Sequence, residues 1–314
     1  MRKRGFTLVE VIVVIVILGI LSAGTFVSLK HLYQRVSKSK GLSELSLESQ
    51  IIVDQISSLL YERVPSSVIG YDGVNSFESI YALNSTYHII EWLGLSVESF
   101  KKRDYSGFVD LDDSNASSKT LVSPDTDVTA LLSSIRKKFN DNTIVFDDNI
   151  TALLFAGTFD DGSTVYSSDF NSTFGWHGNS SDKVFGIDNS SVGKNIVLKT
   201  KPNEIYEKYY IVDSAYAIAR GADVNVSSCS SLSETTDENT LFLFYNYRPW
   251  KGETYCADKG TAGTKSGDVT ILSKEVGGFE IDLLNGNIFF NLTMNRELRG
   301  SDNNVTISKQ KVVF

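Results

Sequence analysis

The sequence predicts an α+β protein: one long N-terminal helix, spanning a membrane and continuing as a stem, that carries an antiparallel β-sheet head. Three observations predict it. Val11 to Leu29 is an uncharged run of nineteen residues, enough to cross a hydrocarbon core as a single helix. Apolar residues then continue at helical spacing to about Arg63. Past Pro65 the texture changes to Ser, Asn, Asp, Thr and Gly with short branched or aromatic runs, which reads as strands and turns and not as a doubly wound enzyme fold.

Taken in order, Arg2, Lys3 and Arg4 precede the span and polar sequence follows it, so the N-terminus is expected in the cytoplasm and the remainder across the membrane. A cleaved secretory signal fits poorly. Leu21-Ser22-Ala23 and Ala23-Gly24 are the nearest approaches to a small-x-small cleavage site, and Glu10 places a costly carboxylate at the edge of the apolar core. In the stem, Leu29, Leu32, Val36, Leu42, Leu45, Ile52, Ile56 and Leu59 form a stripe between charged residues. Gly41 is its weakest point and Pro65 its end. Phe6 to Arg63 would extend about 87 Å, so the part after Leu42 is expected to pack under the head.

Residues 64–314 make up that head, long enough for a hydrophobic core of its own. Expected strands are Thr143 to Phe146, Thr151 to Phe155, Asn195 to Lys199, Tyr206 to Ala219, Thr240 to Tyr247, Val269 to Leu272, Gly278 to Leu284, Ile288 to Leu292 and Val305 to Val313. Asn285-Gly286 reads as a hairpin turn, because Asn-Gly supplies positive φ. Tyr87 to Phe100 and Val128 to Phe139 read as short helices, and Asp110 to Pro124 as a polar loop.

Lys3-Arg4-Gly5-Phe6-Thr7-Leu8-Val9-Glu10 with the apolar run behind it resembles the class III signal of type IV prepilins and type II secretion pseudopilins. The resemblance implies a leader of residues 1–5, a cut between Gly5 and Phe6 by a membrane-embedded prepilin peptidase, and N-methylation of Phe6. It also implies that Glu10, fifth in the mature chain, pairs with the N-terminal amine of a neighbouring subunit and so gains a counter-charge in lipid. Major pilins commonly carry Pro where this chain has Val27; its absence favours a minor subunit. The runs Tyr209 to Arg220, Leu241 to Tyr245 and Ile271 to Phe279 resemble, loosely, a large minor subunit with a PilW-like or J-type head.

That family would place the chain in a bacterial inner membrane as a single-pass protein with a periplasmic head, or at a filament tip on the cell surface. Its partners would be other pilin or pseudopilin subunits, an inner-membrane assembly platform and the lipid bilayer. Priming or capping a secretion or pilus filament is the implied role, with a membrane-anchored adhesin or a DNA-uptake tip subunit as the alternative.

Cys229 and Cys256 are the two cysteines. Outside the cytoplasm such a pair is expected to oxidise into a structural disulfide, a metal or redox role being the weaker alternative without Cys-x-x-Cys spacing. Catalysis is not expected. His31, His88 and His177 form no sequence-close ligand cluster, and no cofactor or metal is implied. Asp110, Asp112 and Asp113, like Asp160-Asp161-Gly162-Ser163, lack the full calcium loop and read as solvated turns.

The net charge is −8, and without Arg2, Lys3 and Arg4 it is 27 basic against 38 acidic residues, or −11. DNA binding would therefore need Lys101-Lys102-Arg103 and Arg136-Lys137-Lys138 to converge on one surface. Asn115, Asn149, Asn225 and Asn304 each match Asn-x-Ser/Thr with Asp two residues earlier, resembling the extended acceptor of bacterial periplasmic N-glycosylation.

Overall fold

A computed structural model describes residues 7–79, 81, 87–159, 172–232, 236–284, 287–298 and 304–314. Its first element is helix α1, Leu8–Tyr61, 54 residues long. Thr7 starts it through a reciprocal capping box with Glu10. Its end is set by sequence: Pro65 opens a short 3-10 turn, Pro65–Ser67, and the residue before a proline is pushed out of the helical region.

From Leu8 to Lys40 no residue of α1 is buried; from Gly41 onward one face is. Leu45, Ser49, Ile52, Val53, Ile56, Ser57 and Leu60 lie inward, the spacing of a helix with one covered stripe. Gly41 is where the covering begins. A Cβ there would sit 2.8 Å from Leu298 Cδ2, so the glycine permits close approach of the C-terminal chain.

The head follows with strands β1 (Ile69–Tyr71), β2 (Phe77–Ser79) and β3 (Ile89–Leu95), helix α2 (Val97–Lys101), strands β4 (Asp110–Asn115) and β5 (Thr120–Val122), and helix α3 (Val128–Lys138). Next come β6 (Ala152–Phe155), β7 (Phe185–Gly186), β8 (Asn195–Val197), β9 (Tyr209–Arg220) and β10 (Leu241–Tyr247). The chain closes with β11 (Glu253–Tyr255), β12 (Thr264–Ser266), β13 (Asp268–Ser273), β14 (Val276–Leu284), β15 (Asn287–Glu297) and β16 (Asn304–Val313).

The main sheet has the order β13-β10-β9-β3-β1-β2, with β6 and β7 joined to β9 through β6. Its pairings are antiparallel. β9 organises it: β3 pairs along one edge, while the other is shared by β6 at Tyr209–Val212 and β10 at Ala215–Arg220. A second, antiparallel sheet, β14-β15-β16, covers α1.

Strand alternation separates the two faces of the main sheet. Leu241 and Leu243 of β10, with Ile90 and Trp92 of β3, share a core with α1 and with Phe290, Leu292 and Met294 of β15. Phe242 and Phe244 share the opposite core with Trp176, Tyr255 and both cysteines. Burying a side chain such as Trp92, which is fully covered, stabilises by roughly 2–3 kcal/mol. A third core gathers α3, β5 and β8 against Ile211 and Tyr209 of β9.

Three sequence expectations are corrected. Tyr87 to Phe100 is not one helix: Ile89–Leu95 is a strand inside the sheet and only Val97–Lys101 is helical. Six of those seven strand residues are buried, so both faces are covered and the apolar residues fall on each, and the resulting run mimics a helix side. Thr143 to Phe146 is a turn, with Asp141 Oδ1 accepting from the Thr143 N–H and hydroxyl, leading into a 3-10 turn at Phe146–Asp148. Asp110 to Pro124 is a hairpin, β4 with β5, whose solvent-facing strand is polar on both counts of its pattern. The Asn285-Gly286 turn lies outside the described residues; Leu284 and Asn287 pair on either side of it.

Candidate functional site

The exposed half of α1 is built from the residues that also cap it. Its apolar part is long enough to cross a membrane, and Glu10 is the one ionisable residue between Thr7 and Leu29. Thr7 donates to Glu10 Oε2 from its backbone N–H and from its hydroxyl, each at 2.9 Å, and its Oγ1 accepts from the Glu10 N–H at 3.3 Å. Glu10 is thereby held at the first turn, where a carboxylate complements the helix dipole. Oε1 makes no hydrogen bond to a described residue.

Residues 1–26 match the model of the prokaryotic N-terminal methylation motif. Such a motif is what type IV prepilin-like N-termini carry, and here it covers these 26 residues of the chain. No curated protein and no solved structure matches the chain. The motif implies processing by prepilin peptidase and assembly with other pilins; Gly5 and Phe6 themselves lie outside the described residues. Proteins bearing this motif are generally structural.

On the head, Cys229 and Cys256 are joined as a disulfide with Cα atoms 5.1 Å apart. It packs against Phe242 and Phe244 of the intervening strand and pins the turn at Val226–Ser228 to the segment after β11.

His177 does not stand singly. Its Nε2 lies 2.9 Å from Glu91 Oε1 of β3 and its Nδ1 3.4 Å from Asp258 Oδ2. The ring stacks on Tyr71 at 3.8 Å. Tyr71 donates to Asp258 Oδ1 at 2.9 Å and Tyr247 to Glu91 Oε2 at 2.7 Å. Burial alone would lower the His177 pKa, but the charge of Glu91 and its hydrogen bond, with the Asp258 carboxylate 3.4 Å from the other nitrogen, push it up to about 9. Burial would likewise raise Asp258, yet the His177 ring 3.4 Å away and hydrogen bonds from Gly260 N–H and Tyr71 hold it below the usual carboxylate range. Burial, then Asp258, raises Tyr71; burial, then Glu91, raises Tyr247.

The result is a buried imidazolium between two carboxylates. It ties together β1, β3, β10, the turn at Trp176–Gly178 and the chain after β11. Sequence reasoning missed it because Glu91 and His177 are 86 residues apart. No group of three or more His, Cys, Asp or Glu able to hold a metal occurs among the described residues. Asp110 serves its own turn, accepting from the N–H groups of Asp112 and Asp113; Asp160 and Asp161 lie outside the described residues.

The two basic groups do come together, since α2 packs on α3 and Lys102 Nζ reaches Ser134 Oγ at 3.1 Å. Several of their charges are already engaged. Lys101 pairs with Glu62, and Lys138 with Asp213 and Glu98, while Arg136 Nε donates to the Ile144 carbonyl. Burial would lower Lys138, and Asp213 more than offsets it.

A further cluster went unread in the sequence. Arg296 of β15 reaches Glu275 at 2.7 Å, Glu48 at 2.9 Å and Glu44 at 3.2 Å, and Ser273 Oγ donates to Glu48 at 2.8 Å. These bonds set the head's register on the stem. The acceptor asparagines among the described residues are scattered: Asn115 at the end of β4, Asn149 after the Phe146–Asp148 turn, Asn225 before the disulfide, and Asn304 at the start of β16.

Proposed function

We propose that this chain is a large minor pilin or minor pseudopilin, a structural subunit that initiates or caps a type IV pilus or type II secretion filament. The observation that carries the reading is α1 itself. From Leu8 to Lys40 it has no buried residue, yet it holds one anchored carboxylate, Glu10, whose Oε1 has no partner among the described residues. An apolar helix face of that length is satisfied by lipid before assembly and by neighbouring helices after it.

On this reading prepilin peptidase cuts between Gly5 and Phe6, Phe6 is methylated, and Glu10 meets the amine of a neighbour. The N-terminus stays cytoplasmic and the head, residues 64–314, is periplasmic, engaging an inner-membrane platform from one side and filament subunits along its stem. Val27 in place of Pro and the added β4-β5-β8 sheet with α3 favour a minor subunit. A DNA-binding tip is disfavoured by the engagement of Lys101, Arg136 and Lys138 within the fold.

Two measurements test this. Mass spectrometry of the membrane-extracted protein should find methylated Phe6 at the N-terminus; a terminus near Ala23 would refute the processing. Glu10→Ala should leave the head folded and deplete the subunit from sheared filaments, since losing one partner of a buried ion pair costs about 3–5 kcal/mol. Equal incorporation of mutant and wild type would refute the assembly role.

A further inference from the structure

The sequence contains nine Asn-x-Ser/Thr triplets, and five of them, at Asn115, Asn149, Asn171, Asn225 and Asn304, have Asp two residues upstream. With 38 acidic residues in 314, chance would place an acid there in about one of the nine. The excess marks an acceptor pattern; the fold sorts its members. Asn171 lies outside the described residues.

Asn149 is closed. It is half-buried with a left-handed backbone, φ 55°, its Oδ1 is enclosed, and its carbonyl is held by Trp250 Nε1 at 2.8 Å. Thr151, whose hydroxyl an acceptor must present, is 2 % exposed. At Asn225 the Ser227 hydroxyl is spent on Asn225 Oδ1 at 2.6 Å, four residues from the disulfide. Asn304 is laddered opposite Glu297, which holds its backbone straight.

Asn115 is exposed, its acceptor hydroxyl makes no bond to Asn115 Oδ1, and a turn follows it where strand follows Asn304. It ends β4 at the tip of the β4-β5 hairpin, where Asn115 pairs with Thr120. Asp113, Asn115 and Ser117 are all exposed, while Ser114 and Ala116 between them are half-buried. Asp113 and Asn115 thus share the outward side of an extended strand. Ser114 turns the other way and its Oγ accepts from Val122 N–H at 2.8 Å. Asn115 Oδ1 accepts from the N–H groups of Ser117 and Ser118, which fixes the amide so that Nδ2, without a partner among the described residues, faces solvent.

We infer that Asn115 is an N-glycosylation site, read by a periplasmic oligosaccharyltransferase through the carboxylate of Asp113 and the hydroxyl of Ser117. Nδ2 attacks the anomeric carbon of a polyprenyl-pyrophosphate-linked oligosaccharide. The C–N bond forms, the bond from that carbon to the pyrophosphate oxygen breaks, the polyprenyl pyrophosphate departs, and one amide proton passes to the transferase. The inference rests on the head lying across the membrane, as proposed above. A glycan there would stand on the face of the hairpin turned away from the α3 core, adding bulk without disturbing it.

The test is made with the full-length chain in bacterial cells that carry a lipid-linked oligosaccharide and a transferase selective for Asp-x-Asn-x-Ser/Thr, followed by glycopeptide mapping and thiol alkylation of the same membranes. Asn115 should be occupied and Asn149 bare. Asn115→Gln should cut total glycan several-fold, and Asp113→Ala should cut Asn115 occupancy several-fold with no change in melting temperature. A bare Asn115, or one no better occupied than Asn149, in chains whose Cys229 and Cys256 are oxidised overturns the inference alone. A bare Asn115 in chains with both thiols free overturns it together with the proposed orientation.

Discussion

Replacing His177 with Gln removes the positive charge that separates Glu91 from Asp258, and the cost can be worked from the geometry. The His177 side chain is 7 % exposed and those of Glu91 and Asp258 are 1 % and 0 %, so solvent does little to replace it. Raising the His177 pKa from 6.5 to about 9 corresponds to about 3 kcal/mol of folding stability. Because the folded pKa lies above the unfolded one, that stability is fully present below pH 6.5 and is lost as pH rises through about 9. Two buried carboxylates left without their counter-ion bring the cost of His177→Gln to about 3–5 kcal/mol at pH 6. For a domain of this size that is a drop of about 6–20 °C in melting temperature. Thermal melts of the detergent-solubilised full chain at pH 6, 7.5 and 9.5 make the measurement. The gap between wild type and His177→Gln should narrow steadily with pH. A gap that is constant from pH 6 to 9.5 would refute the buried imidazolium.

Other consequences are as direct. Replacing Cys229 and Cys256 with Ser opens a loop with a sequence separation of 27 and should cost about 3–4 kcal/mol on the chain-entropy account, read as a lower melting temperature that reductant reproduces in the wild type and leaves unchanged in the variant. Arg296→Ala removes the bonds to Glu44, Glu48 and Glu275; it should cost about 1–2 kcal/mol and speed proteolysis of the stem near Gly41 while the main sheet stays protected. Gly41→Ala gains about 1 kcal/mol of helix propensity and must displace only the end of the Leu298 side chain, so its melting temperature should stay within a few degrees of wild type, whereas Gly41→Phe should loosen the C-terminal chain and lower it.

What could be read from the sequence was whatever is decided locally. Glu10 and the nineteen uncharged residues behind it act through short spacings, and α1 ends where Pro65 requires it to. β9, β10, β14, β15 and β16 show as branched or aromatic runs bounded by polar turns, and the structure keeps them. β3 was hidden by its position: a strand buried on both faces loses its alternation. β4 was hidden by the opposite circumstance, a small sheet with a wet outer strand whose DLDDSN sequence has almost no apolar face. The His177 cluster and the Arg296 hub join residues that the topology alone brings together, the latter across more than 200 positions, and no local pattern announces either.

The bare half of α1 also constrains the route by which this protein can change surroundings. Between Leu29, at the end of the uncharged run, and Gly41, where the head begins to grip, the helix leaves a stand-off of about 18 Å, a shaft clear enough for neighbouring shafts to stand beside it beneath the heads. Below that shaft, Val11 to Leu29 holds thirteen Val, Ile, Leu and Phe side chains, whose exposure to water would cost on the order of 20 kcal/mol even at the low end for each. The span therefore has no resting place in solvent. Leaving lipid would mean exchanging it for protein without an interval in water, and what ties the span to the head throughout is the packed upper stem, through Arg296 and the core around Ile52 and Ile56.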